Sequence, residues 1–245
     1  MPTGVSSVKP RAVTDPVPVA GLTRLTTIDF PGRLAAVIYL QGCPWRCGYC
    51  HNSDMQSRTT AAALQWQEVL DWLRSRRGLL DGVVFSGGEP TLHSGLADAI
   101  ETVRGLGFEI GLHTAGIYPG RLQVILPLLD WIGFDIKAAA ADYDRITGVS
   151  GSAARAWQSA RAVVRSGVEH EFRTTVHPDL LDMSQLSALT QELTAIGASN
   201  YVLQHCVLGH CADEQLRYHN QPRPPRMLLD ELASQFKHFD IRDVA

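Results

Sequence analysis

This chain has no excess of charge of either sign. Its 245 residues carry 22 Lys and Arg against 25 Asp and Glu, a net charge of −3. Such a balance gives no electrostatic footprint for nucleic acid or for an anionic membrane surface. Long apolar runs are also missing. None approaches the ~20 residues that a membrane helix needs, and the first twenty residues lack the apolar core of a secretory signal. Cysteine is scarce, five in all, and three of the five are clustered, so a disulfide framework is not expected. Unoxidised clustered thiols suit a reducing cytoplasm, which is the expected compartment.

What is present begins with that cluster. Gln41 to Asn52 (QGCPWRCGYCHN) sets Cys43, Cys47 and Cys50 in the spacing C-x3-C-x2-C. Thiolates this close can converge on one soft metal centre, an iron–sulfur cluster or zinc. Three ligands leave one position open for an exchangeable molecule, as catalytic centres do and closed structural sites do not.

A hydrophobic content of 45% is ordinary for a globular core, and the length fits one large domain. Residues 1–20 hold Pro2, Pro10, Pro16 and Pro18 and read as an extended, disordered lead-in, followed by a single domain over 21–245. Gly21 to Gly32 reads as irregular, ending in a Pro-Gly turn. Leu34 to Leu40 is a continuous apolar run, the pattern of a strand covered on both faces. Helices and strands then alternate. Trp66, Val69, Leu70 and Leu73 stripe a helix over about 61–77, and Gly82 to Phe85 is the second strand. Leu96, Ile100 and Val103 mark the next helix, and Phe108 to Leu112 is the third strand. A shorter helix over 121–129, disturbed by Pro127, precedes the fourth strand, Trp131 to Ile136. Further helices precede strands at Glu169–Val176 and Asn200–Gln204, and a last helix around Leu229 to Phe236 leads to a possible edge strand over 239–244. Six alternations predict a parallel α/β sheet with right-handed crossovers, curled into a partial (β/α)6 TIM-like barrel.

The polar motifs fall at the carboxyl ends of the predicted strands, the face where barrel active sites are built. The cysteines follow the first strand, Gly87-Gly88-Glu89 the second and Thr114 the third. Asp135 and Lys137 end the fourth, Arg173 lies in the fifth, and His205 ends the sixth.

The cysteine spacing with Tyr49 before the last cysteine, followed by Gly87-Gly88-Glu89-Pro90, resembles the radical S-adenosylmethionine superfamily. Cys50-His51-Asn52, Phe85 to Pro90, and Asp135-Ile136-Lys137 followed by Thr147-Gly148-Val149 are similar to the glycyl-radical-enzyme activases. Within that group GLTRLTTIDFPGRLAAVIYLQGCPWRC is most similar to anaerobic ribonucleoside-triphosphate reductase activating proteins. The pyruvate formate-lyase activating enzyme is a close relative.

The resemblance implies that Cys43, Cys47 and Cys50 hold a 4Fe–4S cluster whose fourth iron takes S-adenosylmethionine. It implies reductive cleavage to a 5′-deoxyadenosyl radical, which removes a hydrogen atom from a glycine of a partner glycyl-radical enzyme. An oxygen-sensitive oxidoreductase is implied, fed by a one-electron donor such as flavodoxin or ferredoxin. On this reading Gly87 and Gly88 let the backbone approach the methionine moiety, and Glu89 serves the amino group. Lys137 and Arg173 suit the carboxylate, while Tyr49, His51 and the strand end at Gln204 and His205 serve adenine and ribose. Thr114 and Asp135 complete the expected binding set.

There are departures and rivals. Activases often carry Asp-Thr-Asn-Gly after the third strand, whereas this chain reads His113-Thr114-Ala115-Gly116, which puts a monovalent-cation site there in doubt. A structural zinc knuckle is the bland reading of the cysteines, and a surface ion pair that of Asp135 and Lys137. Arg173 could pair with Glu171, and His177 reads as a turn residue before Pro178. Cys206 and Cys211, with His210 and His219, are a weak metal signal set against simple buried thiols. Trp66 and Trp72 read as packing residues. The functional rivals are an activase for pyruvate formate-lyase or another glycyl-radical enzyme, a radical enzyme acting on a small metabolite, and a non-catalytic iron–sulfur or zinc protein.

Overall fold

Residues 35–40 are apolar because both faces of their strand are covered. Ala35 to Ile38 and Leu40 are buried in strand β2 (Ala35–Leu40). The structure is a computed structural model and describes residues 16–218 and 226–243. After β2 come helix α1 (Trp66–Arg74), β3 (Gly82–Gly87), α2 (Leu96–Gly105), β4 (Glu109–Thr114), α3 (Pro119–Ile125) and β5 (Trp131–Asp135). These are followed by α4 (Tyr143–Thr147), α5 (Ser152–Ser166), β6 (Glu169–Val176), α6 (Met183–Ala195), β7 (Asn200–His205), α7 (Arg226–Gln235) and β8 (His238–Asp243). Among the described residues, β2 to β8 pair in parallel in the order of the sequence. A sheet that never reverses its order curls one way, with its helices outside. The predicted partial barrel is therefore present, and Pro127 ends α3 in a short 3-10 turn, Leu126–Leu128.

The amino-terminal expectation needs correction. Val19–Thr26 is not irregular: it is strand β1, antiparallel to β2. Nor does the lead-in run to residue 20, because Val17 and Val19 are buried at 1% and 0% exposure. Residues 1–15 of the predicted lead-in, His219 and Val244 lie outside the described residues. β1 and β8 form the two edges of the sheet and do not pair with each other, so the barrel is open along one side.

Strand alternation divides the apolar residues into two groups. Ile38, Phe85, Leu112, Phe134 and Phe172 belong to the large core shared with the helices. Val37, Val84 and Trp131 point inward and join Phe30 and Ala35 in a small separate cluster. Phe30 comes from the β1–β2 connection and stacks on Trp131, with ring centroids 5.8 Å apart. This cluster plugs one end of the lumen. Beyond it, Arg242 of β8 reaches across to the buried Glu171 of β6 through two hydrogen bonds of 2.7 and 3.0 Å, which ties the edge strand to the barrel.

Local signals explain the helix ends. The Asp144 carboxylate accepts from the backbone N–H groups of Gly151 and Ser152 at 2.7 and 3.0 Å, satisfying donors that the first turn of α5 cannot pair internally. Asp182 and Gln185 form a reciprocal capping box on α6. Trp66 packs in the core as expected, and Trp72 is half-buried beneath Arg76.

Trp131 fills most of the plug, so Trp131→Ala is expected to cost about 3–5 kcal/mol. Urea denaturation with secondary structure as the readout checks it: an unchanged midpoint would show that the lumen closes without the indole.

Candidate functional site

The chain's own hydrogen bonds hold the cysteine loop. Gln41 is buried, and its amide donates to the carbonyls of Asp54 and Ser57 at 3.1 and 2.8 Å. The backbone N–H of Gly42 donates to Met55 O at 2.7 Å and that of Cys43 to Gln56 O at 3.1 Å. His93 Nε2 donates to Gln41 O at 2.9 Å. Arg46 reaches back to the carbonyls of Cys43 and Trp45 at 2.7 and 2.8 Å. Together these bonds fold residues 41–57 into a closed loop over the carboxyl ends of β2 and β3.

The glycines after β3 serve that loop. A Cβ at Gly88 would lie 2.3 Å from Gly42 O, and one at Gly87 would lie 2.3 Å from Leu40 N. Both glycines thus permit a close approach of the chain's own backbone, and both also line the cavity. Gly88 N donates to Leu40 O at 2.8 Å, and Glu89 N donates to Gly42 O at 2.9 Å.

Glu89 is 1% exposed. Its Oε1 accepts from Thr91 N at 3.0 Å and from the Thr114 hydroxyl at 2.6 Å, and its Oε2 accepts from Ala115 N at 2.9 Å. Burial pushes this carboxyl up, against the opposing hydrogen bonds from Thr114, Thr91 and Ala115. Glu89 thus pins the ends of β3 and β4 together. Thr114 in turn accepts from Gly116 N at 2.9 Å.

These elements surround a cavity of about 500 Å³. Cys43, Cys47 and Cys50 line it, with Tyr49, His51, Gly87, Gly88, Glu89, Thr114, Asp135, Lys137 and Arg173. The structure brings all but one of the sequence-predicted residues together. The exception is His205. It follows Gln204 on β7, and the pleat turns Gln204 to the cavity and His205 away from it. The same alternation supplies lining residues that the motifs do not mark: Tyr39, Ser86 and Thr175 point inward from β2, β3 and β6. A single polar residue near the carboxyl end of an otherwise apolar strand, as Tyr39 in β2 and Ser86 in β3, is the signal that finds the first two.

The lumen holds a charged triad. Arg173 Nε donates to Asp135 Oδ1 at 3.0 Å, and Lys137 Nζ lies 4.0 Å from Asp135 Oδ2. A Cβ at Gly133 would sit 2.7 Å from the Arg173 guanidinium, so the glycine makes room for it. Burial alone would raise the Asp135 carboxyl, but Arg173 and Lys137 outweigh it and hold the group below its ordinary range. Burial opposes the Lys137 charge, yet Tyr49 and Asp135 leave it well above its ordinary value. Of the bland readings, Arg173 does form an ion pair, with Asp135 and not with Glu171. The pair lies inside the cavity and not on the surface.

His113 occupies the position where a carboxylate is common in activases. Its Nε2 donates to Asp29 O at 2.9 Å. Burial, with Arg173 nearby, lowers its pKa to about 3, so the ring is neutral. His177 is a turn residue as expected: Nδ1 accepts from Asp179 N at 3.2 Å and Nε2 donates to Leu216 O at 3.0 Å.

Residues 37–184 match the Radical SAM superfamily. The chain belongs to that superfamily, whose members use a 4Fe–4S cluster and S-adenosylmethionine. It is 25% identical over 230 residues to a Methanocaldococcus jannaschii protein named as a glycyl-radical enzyme activating enzyme, covering 90% of this chain and 92% of that one. It is 32% identical over 164 residues to the pyruvate formate-lyase-activating enzyme of Clostridium pasteurianum, covering 64% of this chain and 68% of that one. In fold it is similar to Streptococcus suis SuiB bound to S-adenosylmethionine, with a TM-score of 0.65 at 14% identity over 85% of this chain. This chain spans half the length of SuiB.

The residues fit the cluster. Three soft donors from one loop line one cavity, and none is in a disulfide. Burial pushes the Cys43 thiol up to about 12 and raises that of Cys47, so their ionisation calls for a bound cationic centre. Among the described residues no three His, Cys, Asp or Glu side chains converge as they would on a single ion. The Tyr49 hydroxyl is buried, and Lys137 Nζ lies 5.5 Å from the centre of its ring.

Gly88→Ala is expected to lift the cysteine loop. The variant should stay folded, lose about 1–3 kcal/mol of stability, and take up less than half the wild-type iron on anaerobic reconstitution. Gly105→Ala, with nothing within 4 Å of the added methyl, serves as the control. Full iron loading of Gly88→Ala would refute the account of that glycine.

Proposed function

We propose that this chain is a glycyl-radical-enzyme activase, and that its partner is an anaerobic ribonucleoside-triphosphate reductase. The observation that carries the reading is the union, in one cavity, of a three-cysteine loop with the Asp135–Arg173–Lys137 triad. Two relatives named as activating enzymes support the class. The partner rests on the resemblance of residues 21–47 to reductase activating proteins.

In this reading Cys43, Cys47 and Cys50 hold a 4Fe–4S cluster. Bound together, cluster and S-adenosylmethionine supply a one-electron cleavage that yields a carbon radical able to take hydrogen from a glycine Cα. The chain's own residues bind, orient and exclude water. Arg173 and Lys137 offer cations to the ligand carboxylate, and Asp135 fixes both. Glu89 holds the rim rigid and adds negative charge for an ammonium. Tyr49, His51 and Gln204 line the cavity for the nucleoside end. The Phe30–Trp131 plug closes the lumen to water from the opposite end.

Among the described residues no helix is long and apolar enough to cross a membrane. Work in a reducing cytoplasm, with flavodoxin or ferredoxin as electron donor, completes the proposal.

Anaerobic protein reconstituted with iron and sulfide, then given dithionite and S-adenosylmethionine, is expected to form 5′-deoxyadenosine. Cys47→Ala should lose both iron and product, while Arg173→Lys should keep iron and bind S-adenosylmethionine roughly tenfold more weakly. Incubation with anaerobic reductase or with pyruvate formate-lyase, followed by electron paramagnetic resonance, separates the partners. A glycyl radical on the formate-lyase alone would move the assignment, and no 5′-deoxyadenosine from fully loaded protein would end it.

A further inference from the structure

The proposed function leaves two cysteines unused. Cys206 directly follows β7, where its N–H donates to Val176 O at 3.2 Å. The chain then makes a 3-10 turn, Leu208–His210, which brings Cys211 back beneath it. Cys211 N donates to Leu208 O at 3.1 Å, and Arg217 Nε donates to Cys211 O at 2.8 Å. The two sulfurs lie 3.4 Å apart, and both residues are buried, at 5% and 0% exposure.

We propose that Cys206 and Cys211 form a thiol–disulfide exchange site, closed reversibly by low-molecular-weight disulfides, behind the His51 wall of the candidate active-site cavity. The short return loop supports this, because a disulfide needs its sulfurs at about 2.05 Å and the turn already holds them in contact. A second observation ties the pair to the cavity. Cys206 Sγ lies 3.5 Å from His51 Nε2, which also accepts from Val207 N at 3.2 Å. His51 and His210 both line the cavity, so a change at the pair is felt on that wall. Gly209 and His210, in the turn between the two cysteines, are exposed. A metal at the pair is the other reading, but among the described residues no three such ligands converge.

The exchange balances without a further reactant. The Cys206 sulfur attacks one sulfur of the small disulfide, forming a mixed disulfide and releasing one thiol. The Cys211 sulfur then attacks the Cys206 sulfur and releases the second thiol. The two thiol protons of the protein leave with the released thiols. Two protein thiols are oxidised and one reagent disulfide is reduced.

The test uses the cluster-loaded full-length protein under anaerobic conditions, with cystamine as the disulfide. Unreacted thiols are alkylated under denaturing conditions, and the protein is weighed and digested. The expected result is a protein that carries two alkyl groups fewer than the reduced control, a cross-linked Cys206–Cys211 peptide, retained cluster absorbance, and full reversal by dithiothreitol. Cys211→Ser should instead carry a cysteamine adduct on Cys206 and no cross-link. Cys206→Ser is the second variant, in case the first does not fold, and should show no cross-link at Cys211. If wild-type Cys206 and Cys211 both remain alkylatable, or both carry separate adducts, the proposal is overturned. Because the readout is mass, the result stands whether or not the protein activates a partner.

Discussion

One contact between two backbones holds the rest of this molecule in place. At the ends of two neighbouring parallel strands, Gly88 lies against Gly42 with no room for a side chain between them. Glu89 N hydrogen-bonds across the join at 2.9 Å. The cysteine loop sits where it does because this seam exists. The following residue then places a buried carboxylate beneath the rim, tying β3 to β4 through Thr114 and Ala115. Gly-Gly-Glu is thus a structural fastener as well as part of the cavity lining.

The second constraint is electrostatic. Arg173, at 8% exposure, and Lys137 share one carboxylate inside the lumen. Buried charges are costly unless paired, and here three charges share the cost. The arrangement leaves net positive charge facing the cavity, which suits an anionic group. Gly133 and Gly111 leave the lumen wall bare where Arg173 and Phe30 need space. The same interior therefore holds a charged upper layer and an apolar plug without conflict.

Much of this was legible in the sequence, for physical reasons. The apolar runs of β2, β3 and β5 are continuous because both faces are covered. The cysteine spacing and Gly87-Gly88-Glu89 fix the loop and the rim. β1 was not legible: it is a half-exposed edge strand, with register shifts after Val19 and after Thr23, so its alternation is broken. The motif marks the strand end at Gln204 and His205 alike, and only the pleat decides that Gln204 faces the cavity. The packing of Gly87 and Gly88 against Leu40 and Gly42 is a tertiary fact that the motif alone does not show. Asp135 and Arg173 were each picked out by position, and only the register of β5 against β6 reveals that they pair.

Among the described residues β1 and β8 do not pair with each other, and that gap has a consequence for what can reach the cavity. A closed ring of strands can be entered only along its axis, by small molecules or by a chain with an end to thread. A cylinder split along its length can be entered sideways. Ile28, from the connection after β1, borders the cavity and is 78% exposed, so the lip is greasy and open to solvent. A hairpin tethered at both ends in a much larger body can be laid into such a slot without unfolding and without a terminus to lead it.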